Sequence, residues 1–522
     1  MKIKWMILLL PALLLAACGT KPSIPTSTVA PATAIEEPTA AATEIPLPPV
    51  VGPDPSYKVA AFYYAWYGNV DLDPEWYHWD DPQDISADYY PELGPYSSND
   101  PLVVAQHMAW LREAGVGVII VSWWGRGGYE ERPFPLIMEM AERYGIKVAF
   151  HIEPYRQRTA DQLVEDVQYL YRRYGDSPAF FRSTASSRYS PGAEPKGMFF
   201  VWCSQFASGC GDQGSAVEAD YWQEALDEIH ALPGGTLLIA QPAQSSWVTE
   251  GHFDGLYNYA TLHLEQEGGF AWAGSLPPDS LYIPSVLPGF SAERIGDPPE
   301  TLVLREDGQT YDDQWTAALG AGVEPALMTI TSFNEWHEGT MIEPPALGAR
   351  DGSGSAYYDF GALPADGYLT LTRQWIGQYL AATWPDTIRV RIQIKTTSDW
   401  TTLNVVSGGQ WIRPELISMS EGAAQAAMES GGNFALQQSL DNANLGREVE
   451  MTWDVLLTGL EPGQNLVLSI DRGGIGRTQV TIFNYLGDAP VEIQTFTWGG
   501  STTDRNSYEI SIAADALLVA QP

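Results

Sequence analysis

A chain of 522 residues with 65 acidic and 28 basic side chains carries a formal charge of −37. Nucleic-acid binding rests on Lys and Arg contacts to phosphate, so this balance argues against it and disfavours a strongly anionic substrate, while a neutral one is unaffected. There are three cysteines, none arrayed with histidine at zinc spacing.

At the N-terminus, Lys2 and Lys4 precede a thirteen-residue apolar run, Trp5 to Ala17, and then Cys18. The run is too short to span a bilayer. A basic start, an apolar core and small residues before a cleavage point describe a secretory signal. Leu15-Ala16-Ala17-Cys18 also resembles a bacterial lipobox, in which the Cys is lipidated and becomes the new first residue; an ordinary signal with an incidental Cys is the other reading. Residues 1–18 are therefore expected to be a lipoprotein signal peptide. Residues 19–56, rich in Pro, Thr, Ala and Ser, are expected to be a disordered tether. The expected location is the cell envelope, with the exported chain anchored to a membrane through Cys18.

From about Tyr57 onward, short apolar runs alternate with helical patterns. The expected strands are Val59–Tyr64, Val116–Ser122, Lys147–Ile152, Gly197–Trp202, Thr236–Ala240, Gly255–Tyr259, Leu281–Val286 and Ala326–Ser332. Several are near-continuous apolar runs, as strands covered on both faces require. Amphipathic stretches lie at Leu102–Ala114, Leu136–Tyr144, Asp161–Tyr174, Ala216–Ala231 and Tyr311–Ala321, and Tyr368–Leu380 closes the series. No helix is evident after the fifth or sixth strand. Eight strand–helix repeats predict a (β/α)8 barrel of the TIM type over residues 57–386. After Trp384-Pro385-Asp386 the pattern becomes alternating, at Ile388–Lys395, Val449–Leu457, Leu466–Ile470, Thr478–Phe483 and Val491–Thr497. This predicts a small all-β sandwich over residues 387–522. Its Trp400, Trp411, Trp453 and Trp498 fit core packing better than a sugar-binding face.

In such a barrel, active-site residues follow the C-terminal ends of the strands. Tyr63, Tyr64, Trp66 and Tyr67 follow the first, then Trp76, His78 and Trp79. Trp123 and Trp124 follow the second, and His151-Ile152-Glu153-Pro154-Tyr155 the third. Trp202 follows the fourth, Tyr257 and Tyr259 end the sixth, and Arg294 comes soon after the seventh. Asn334-Glu335-Trp336-His337-Glu338 follows the eighth. Polar aromatics and carboxylates thus collect at one end, and 19 Trp and 26 Tyr supply flat faces on which sugar C–H groups pack. Glu335 and Glu338 stand three apart, on one side of a helical turn. Glycoside hydrolysis needs two carboxyl groups flanking one bond. Read alone, the pair also fits a helix-start acid and a salt-bridged partner. His337-Glu338 lacks the second His of a zincin, and His151-Ile152-Glu153 lacks the Cys pair of a deaminase. Cys203 and Cys210 are expected to close a short loop as a disulfide in an oxidising compartment; two buried free thiols are the alternative.

The segments Phe62–Asn69, Val121–Gly125, His151–Tyr155, Phe253–Tyr257, Pro284–Gly289 and Thr331–Thr340 together resemble glycoside hydrolase family 99, the family of endo-α-1,2-mannosidases and endo-mannanases. The resemblance runs in order from about Tyr57 to Trp384. It implies a retaining, endo-acting α-mannosidase working on mannan-type or N-glycan-type oligosaccharides. Glu335 would be the general base on the sugar 2-hydroxyl and Glu338 the general acid, with a 1,2-anhydro sugar as intermediate. It implies that Glu153 belongs to the −1 sugar site and that Tyr64, Trp124, Tyr257, Arg294 and His337 line sugar subsites. It implies no metal or cofactor. Met341 stands where the family motif has Gln. The rival readings are a related barrel acting on another α-glycan, a non-catalytic glycan-binding lipoprotein, and a polysaccharide-biosynthesis protein. The intact acid pair disfavours the second, and export disfavours the third.

Overall fold

The computed structural model describes residues 46–522, apart from 80–84, 212–213, 265, 278, 298–300, 385–386, 398–399, 408–409, 413–414, 420–422, 431–432, 441–447, 459–463, 474–475, 486–490, 501–505 and 519–522. Cys18, the expected signal peptide and most of the expected tether lie outside the described residues. The last stretch of that tether does not: it is ordered against the barrel. Leu47 packs on the core, and Tyr144 Oη donates to Pro48 O at 2.5 Å. Arg112 donates to Val51 O at 3.1 Å and pairs with Asp54 at 2.9 Å. Proline-rich backbone has no hydrogen bonds of its own, and here distant donors supply them.

The barrel is a ring of eight parallel strands: Ser56–Tyr63, Val116–Trp123, Lys147–Ile152, Lys196–Val201, Thr236–Ala240, Gly255–Tyr257, a seventh in two pieces, and Met328–Ile330. Each pairs with the next in sequence. The eighth returns to the first through Val59–Met328, Ala60–Thr329 and Ala61–Ile330. The seventh strand is broken at Pro284, which has no N–H to donate. Leu281–Ile283 pairs with the sixth strand and Ser285–Val286 with the eighth, so each piece serves one neighbour. The second strand is buried at every position, which accounts for a sequence that is apolar but for Ser122.

The helices follow from ordinary end signals. Pro101–Ala114 starts at Asp100, whose side chain accepts from Leu102 N, and stops at Gly115 with φ 83°. Ala160–Tyr174 is capped by Thr159 and turns Leu163, Val164, Val167, Leu170 and Tyr174 inward. The fourth helix is shorter than its pattern: Ala219–Trp222 is a tight 3-10 turn leading into Gln223–His230. Buried Trp222 pins that turn by donating to Ser204 O at 2.8 Å. Among the described residues, only Ser246–Thr249 and the 3-10 turn Ala271–Ser275 follow the fifth and sixth strands. Phe134–Tyr144, Gln309–Leu319 and Gly367–Ala381 complete the ring.

Beyond residue 386 the chain forms two antiparallel sheets. The expected strands are present, extended at their ends, and are joined by Trp400–Ser407, Gln410–Ile412, Glu415–Met419, Ala423–Ser430, Asn433–Leu440 and Asn506–Ala513. Residues of both sheets, including Ile392, Leu403, Trp453, Leu468 and Ile482, share one core. Trp453 is thus a packing residue, and Trp498 stacks on Tyr508 at 4.4 Å. The side chains of Trp400 and Trp411 lie outside the described ones. Among the described residues no helix is long and apolar enough to cross a membrane.

Candidate active site

The short strand Met328–Ile330 releases the chain into the loop Thr331–Glu343, whose backbone is used to build a site instead of a longer ladder. Phe333 N donates to Phe62 O at 2.8 Å, Ser332 N to Thr340 O at 2.9 Å and Glu343 N to Phe333 O at 2.9 Å. Two asparagines imitate a strand with their amides. Asn334 accepts from Tyr64 N at 2.7 Å and donates to Tyr64 O at 2.9 Å, tying the eighth strand's loop to the first strand. Asn258 does the same to Ser285 N and O at 3.0 and 3.2 Å, at the end of the sixth strand. The loop folds closely over its neighbours: Gly339 has φ 59°, and a Cβ there would lie 2.7 Å from Ser291 O.

A buried layer supports this loop from below. Glu343 meets His107 Nε2 at 3.0 Å with one oxygen, and with the other accepts from Tyr96 Oη at 2.8 Å and Trp336 Nε1 at 2.9 Å. His107 Nδ1 lies 3.0 Å from Tyr63 Oη. Tyr67 Oη donates to Asn334 O and accepts from Trp336 N. From the other side Arg305 donates to Gly339 O at 2.9 Å and Met341 O at 2.7 Å, its guanidinium lying against the rings of Tyr89, Phe360 and Tyr368. Met341 is fully buried, its sulfur 3.3 Å from the same guanidinium.

This scaffold presents Glu335 and Glu338 to one cleft of about 320 Å³, lined also by Trp66, His78, Ile295 and His337. Glu335 is 3% exposed; its own N–H donates to Ser332 Oγ at 2.7 Å, and its Oε1 accepts from His337 N at 3.1 Å. Burial pushes its carboxyl well above the ordinary range, Glu338 pushes it further, and the His337 N–H acts against both. Glu338 retains some surface exposure yet is densely surrounded by protein. Burial pushes it up to about 7, opposed by the hydroxyl of Tyr259. That hydroxyl donates to Glu338 Oε2 at 3.4 Å and lies 2.5 Å from Tyr64 Oη. His78, at φ 56°, stacks on Trp66 at 4.3 Å, and burial followed by the neighbouring His337 pushes its pKa down to about 4. It is therefore neutral at pH 7.

The remaining expected residues divide. Glu153 is buried and accepts from Ser122 Oγ at 2.8 Å; Trp124, 38% exposed, donates to the same Oγ at 3.1 Å. Tyr64 and His337 stand beside the acids. Arg294 stands at the rim, paired with Asp351 at 3.1 Å and lying over Tyr357, with its neighbour Ile295 in the cleft. Tyr257 lies a layer lower than a subsite residue would: it is fully buried, and its hydroxyl meets His151 Nε2 at 2.6 Å. Tyr259, two residues on and on the same face, reaches the acids instead. Cys203 and Cys210 form a disulfide in the loop after the fourth strand. Buried Arg158 donates to the carbonyls of Cys203, Phe206 and Ala207 in that loop. Tyr259 is one of the two tyrosines expected at the end of the sixth strand, whereas His107, Glu343 and Arg305 are the contributors not singled out from sequence. Only His107 leaves a signal there, as a polar residue on the apolar stripe of its helix, four from Val103 and four from Leu111. Among the described residues no three His, Cys, Asp or Glu side chains converge as a metal site.

Residues 80–381 match the family described as Glycosyl hydrolase family 99. The chain is 33% identical over 370 residues to the glycoprotein endo-alpha-1,2-mannosidase of Xenopus laevis, covering 63% of this chain and 78% of that one. It is 31% identical over 381 residues to the Rattus norvegicus enzyme of the same name, covering 64% and 76%. The solved structure of the GH99 endo-alpha-mannosidase from Bacteroides thetaiotaomicron, in complex with bis-tris-propane, aligns with a TM-score of 0.55 at 32% identity, covering 63% of this chain and 98% of that one. The matched region holds the closing strand of the barrel and the loop that carries both acids, and the chain belongs to glycosyl hydrolase family 99 as a glycoside hydrolase.

Proposed function

We propose that this chain cleaves α-mannosidic linkages inside mannan-type or N-glycan-type oligosaccharides, with Glu335 as base and Glu338 as acid. The observation that carries the reading is the placement of two carboxyls, both held above the ordinary range, three residues apart on one loop and facing one cleft. The names of the relatives supply the sugar. Crowded carboxyls of this kind share a proton, and the reaction needs one acid and one base. Glu335 takes the proton of the 2-hydroxyl, the 2-oxygen attacks C1, and the bond from C1 to the leaving oxygen breaks as Glu338 protonates that oxygen. Water then opens the 1,2-anhydro sugar at C1, giving a proton to Glu338, while Glu335 returns its proton to the 2-oxygen. Two displacements at C1 retain configuration. In an α-mannoside the 2-hydroxyl and the leaving group are trans-diaxial, which permits the first displacement; an α-glucoside lacks that arrangement. In this reading Glu153 holds the −1 sugar, Tyr64, Trp124 and His337 touch the glycan, Arg294 stands further out, and Tyr257 acts through His151.

Digestion of α-mannans beside α-glucans, read by product size, tests the assignment. Internal cleavage of mannan alone is expected, and cleavage of glucan alone overturns it. A 2-deoxy-2-fluoro substrate should bind without turnover; a stable glycosyl ester on Glu335 would replace the anhydro-sugar route with a conventional nucleophile.

The same reading places the enzyme at a membrane surface. The support is the Leu15-Ala16-Ala17-Cys18 junction, followed by a Pro- and Thr-rich stretch. A Cys18→Ala protein should lose membrane association, and a variant that still fractionates with membranes as a full-length chain rules the anchor out.

A further inference from the structure

A polar chain runs from inside the barrel to the half-exposed indole of Trp124. Tyr257 Oη meets His151 Nε2 at 2.6 Å. His151 Nδ1 lies 3.0 Å from Glu153 Oε1, though without the alignment of a hydrogen bond. Ser122 Oγ donates to that same Oε1 at 2.8 Å and accepts the Trp124 indole N–H at 3.1 Å. Ser122 is only 2% exposed, whereas Trp124 is 38% exposed.

The register explains the convergence. Ser122 and His151 are cross-strand partners on the second and third strands. Trp124 and Glu153 each lie two residues further on, so alternation puts both on the same face as that pair. A carboxylate only accepts and an indole N–H only donates, while a hydroxyl does one of each. The Ser122 proton is committed to Glu153, which leaves its lone pair for Trp124. Neither of the two bonds can be moved without disturbing the other.

We propose that Ser122 is a positioning residue that locks Glu153 and Trp124 into one rigid wall of the sugar site. This rests on the reading that those two side chains meet the glycan. Without the hydroxyl, the carboxylate loses its aligned donor and the half-open indole is free to turn. The glycan must then order both groups when it binds, a cost the native wall has already met. The loss is of binding common to ground state and transition state, so it appears in KM rather than kcat.

The test uses the full chain and a reducing-end-labelled α-mannan oligosaccharide. Ser122→Ala should raise KM about ten-fold, the scale of one hydrogen bond to a charged group, and change kcat little. Trp124→Phe keeps a ring and removes the N–H. On that background Ser122→Ala should cost clearly less, because one of its two partnerships is already gone. An unchanged KM in Ser122→Ala, or costs that simply add in the double variant, overturns the proposal. Glu153→Gln and Trp124→Ala separate this from the reading beneath it. If both weaken the substrate while Ser122→Ala does not, only the role of Ser122 falls. If both keep the native KM and kcat, or if the unaltered chain cleaves no α-mannan, the glycan reading fails first and the proposal with it.

Discussion

The barrel mouth and the C-terminal sheets bury polar groups in opposite ways. In the sheets, the buried polar side chains are mostly threonines, and buried Asp454 is matched by Arg391 through two bonds of 2.7 and 2.9 Å. At the mouth, Glu153, Glu335 and Glu338 crowd together, held by the hydroxyls of Ser122 and Tyr259 and the His337 N–H. A matched pair offsets its own desolvation. Crowded acids do not, and the carboxyls of Glu335 and Glu338 are forced upward. Buried charge alone therefore does not mark a site; buried charge of one sign, set at the end of barrel strands, does.

Removing charge from each region should give the largest contrast. Glu335→Ala or Glu338→Ala should lower turnover of a natural mannoside by about 10²-fold or more. Glu338→Ala should recover much of that loss on an activated aryl mannoside, whose leaving group needs no acid; Glu335→Ala should not. Asp454→Asn should instead cost about 1–2 kcal/mol of stability by breaking a charged hydrogen-bond pair, and leave kcat of the folded protein alone. A loss of kcat in Asp454→Asn would erase the distinction between the regions.

Stability gives the next effect, with opposite signs. The Glu335 carboxyl is held above its unfolded value, so the stability it contributes is fully present below that value and is lost as pH rises through the folded one. Glu335→Gln keeps the shape and removes the charge. It should raise stability at pH 8 and do much less at pH 4. Thermal melts at the two pH values decide this; a Gln variant less stable at pH 8 would contradict the crowding argument.

A smaller effect is expected in the pH profile. The active pair holds one proton, which forms as the first carboxyl ionises and vanishes as the second does. Glu338 is pushed up to about 7, and Glu335 is also raised. The kcat/KM optimum on a natural glycan should therefore lie near neutrality. An optimum near pH 4 would mean that the acids are solvated as ordinary carboxylates.

How much of this is legible in sequence follows from how local the cause is. The second to fifth strands are readable because burial on both faces makes them near-continuous apolar runs. The sixth and eighth end early, at Tyr257 and Ile330, because the Asn258 amide takes over ladder bonds and the backbone after Ile330 turns to building the loop. Residues 47–54 read as a tether by composition, yet Arg112 and Tyr144 hold them from far along the chain. The acids are readable because spacing and position after a strand are local facts. The pairing of His107 with Glu343 is not, since it joins positions 236 apart.

The smallest expected effect is the one that isolates the comparison. Among the described residues, every side chain found to line the cleft or support its loop precedes residue 385, and the barrel ring closes on itself through Val59 and Met328 without a strand from the sheets. The sheets hold a core of their own, built from Val390 to Leu517. A protein ending at Trp384 should therefore cleave a soluble oligosaccharide with kcat and KM close to those of the full chain. Circular dichroism and a cooperative melt must first show that it folds, because Gly367–Ala381, which packs on the first barrel helix, becomes the new C-terminus. If the truncated protein folds and still cuts, the sheets act outside the chemistry, and any role with an insoluble polymer or a surface can be measured separately on such substrates. If it folds and is inactive, the sheets complete the cleft, and the separation of a catalytic mouth from a purely structural partner is wrong.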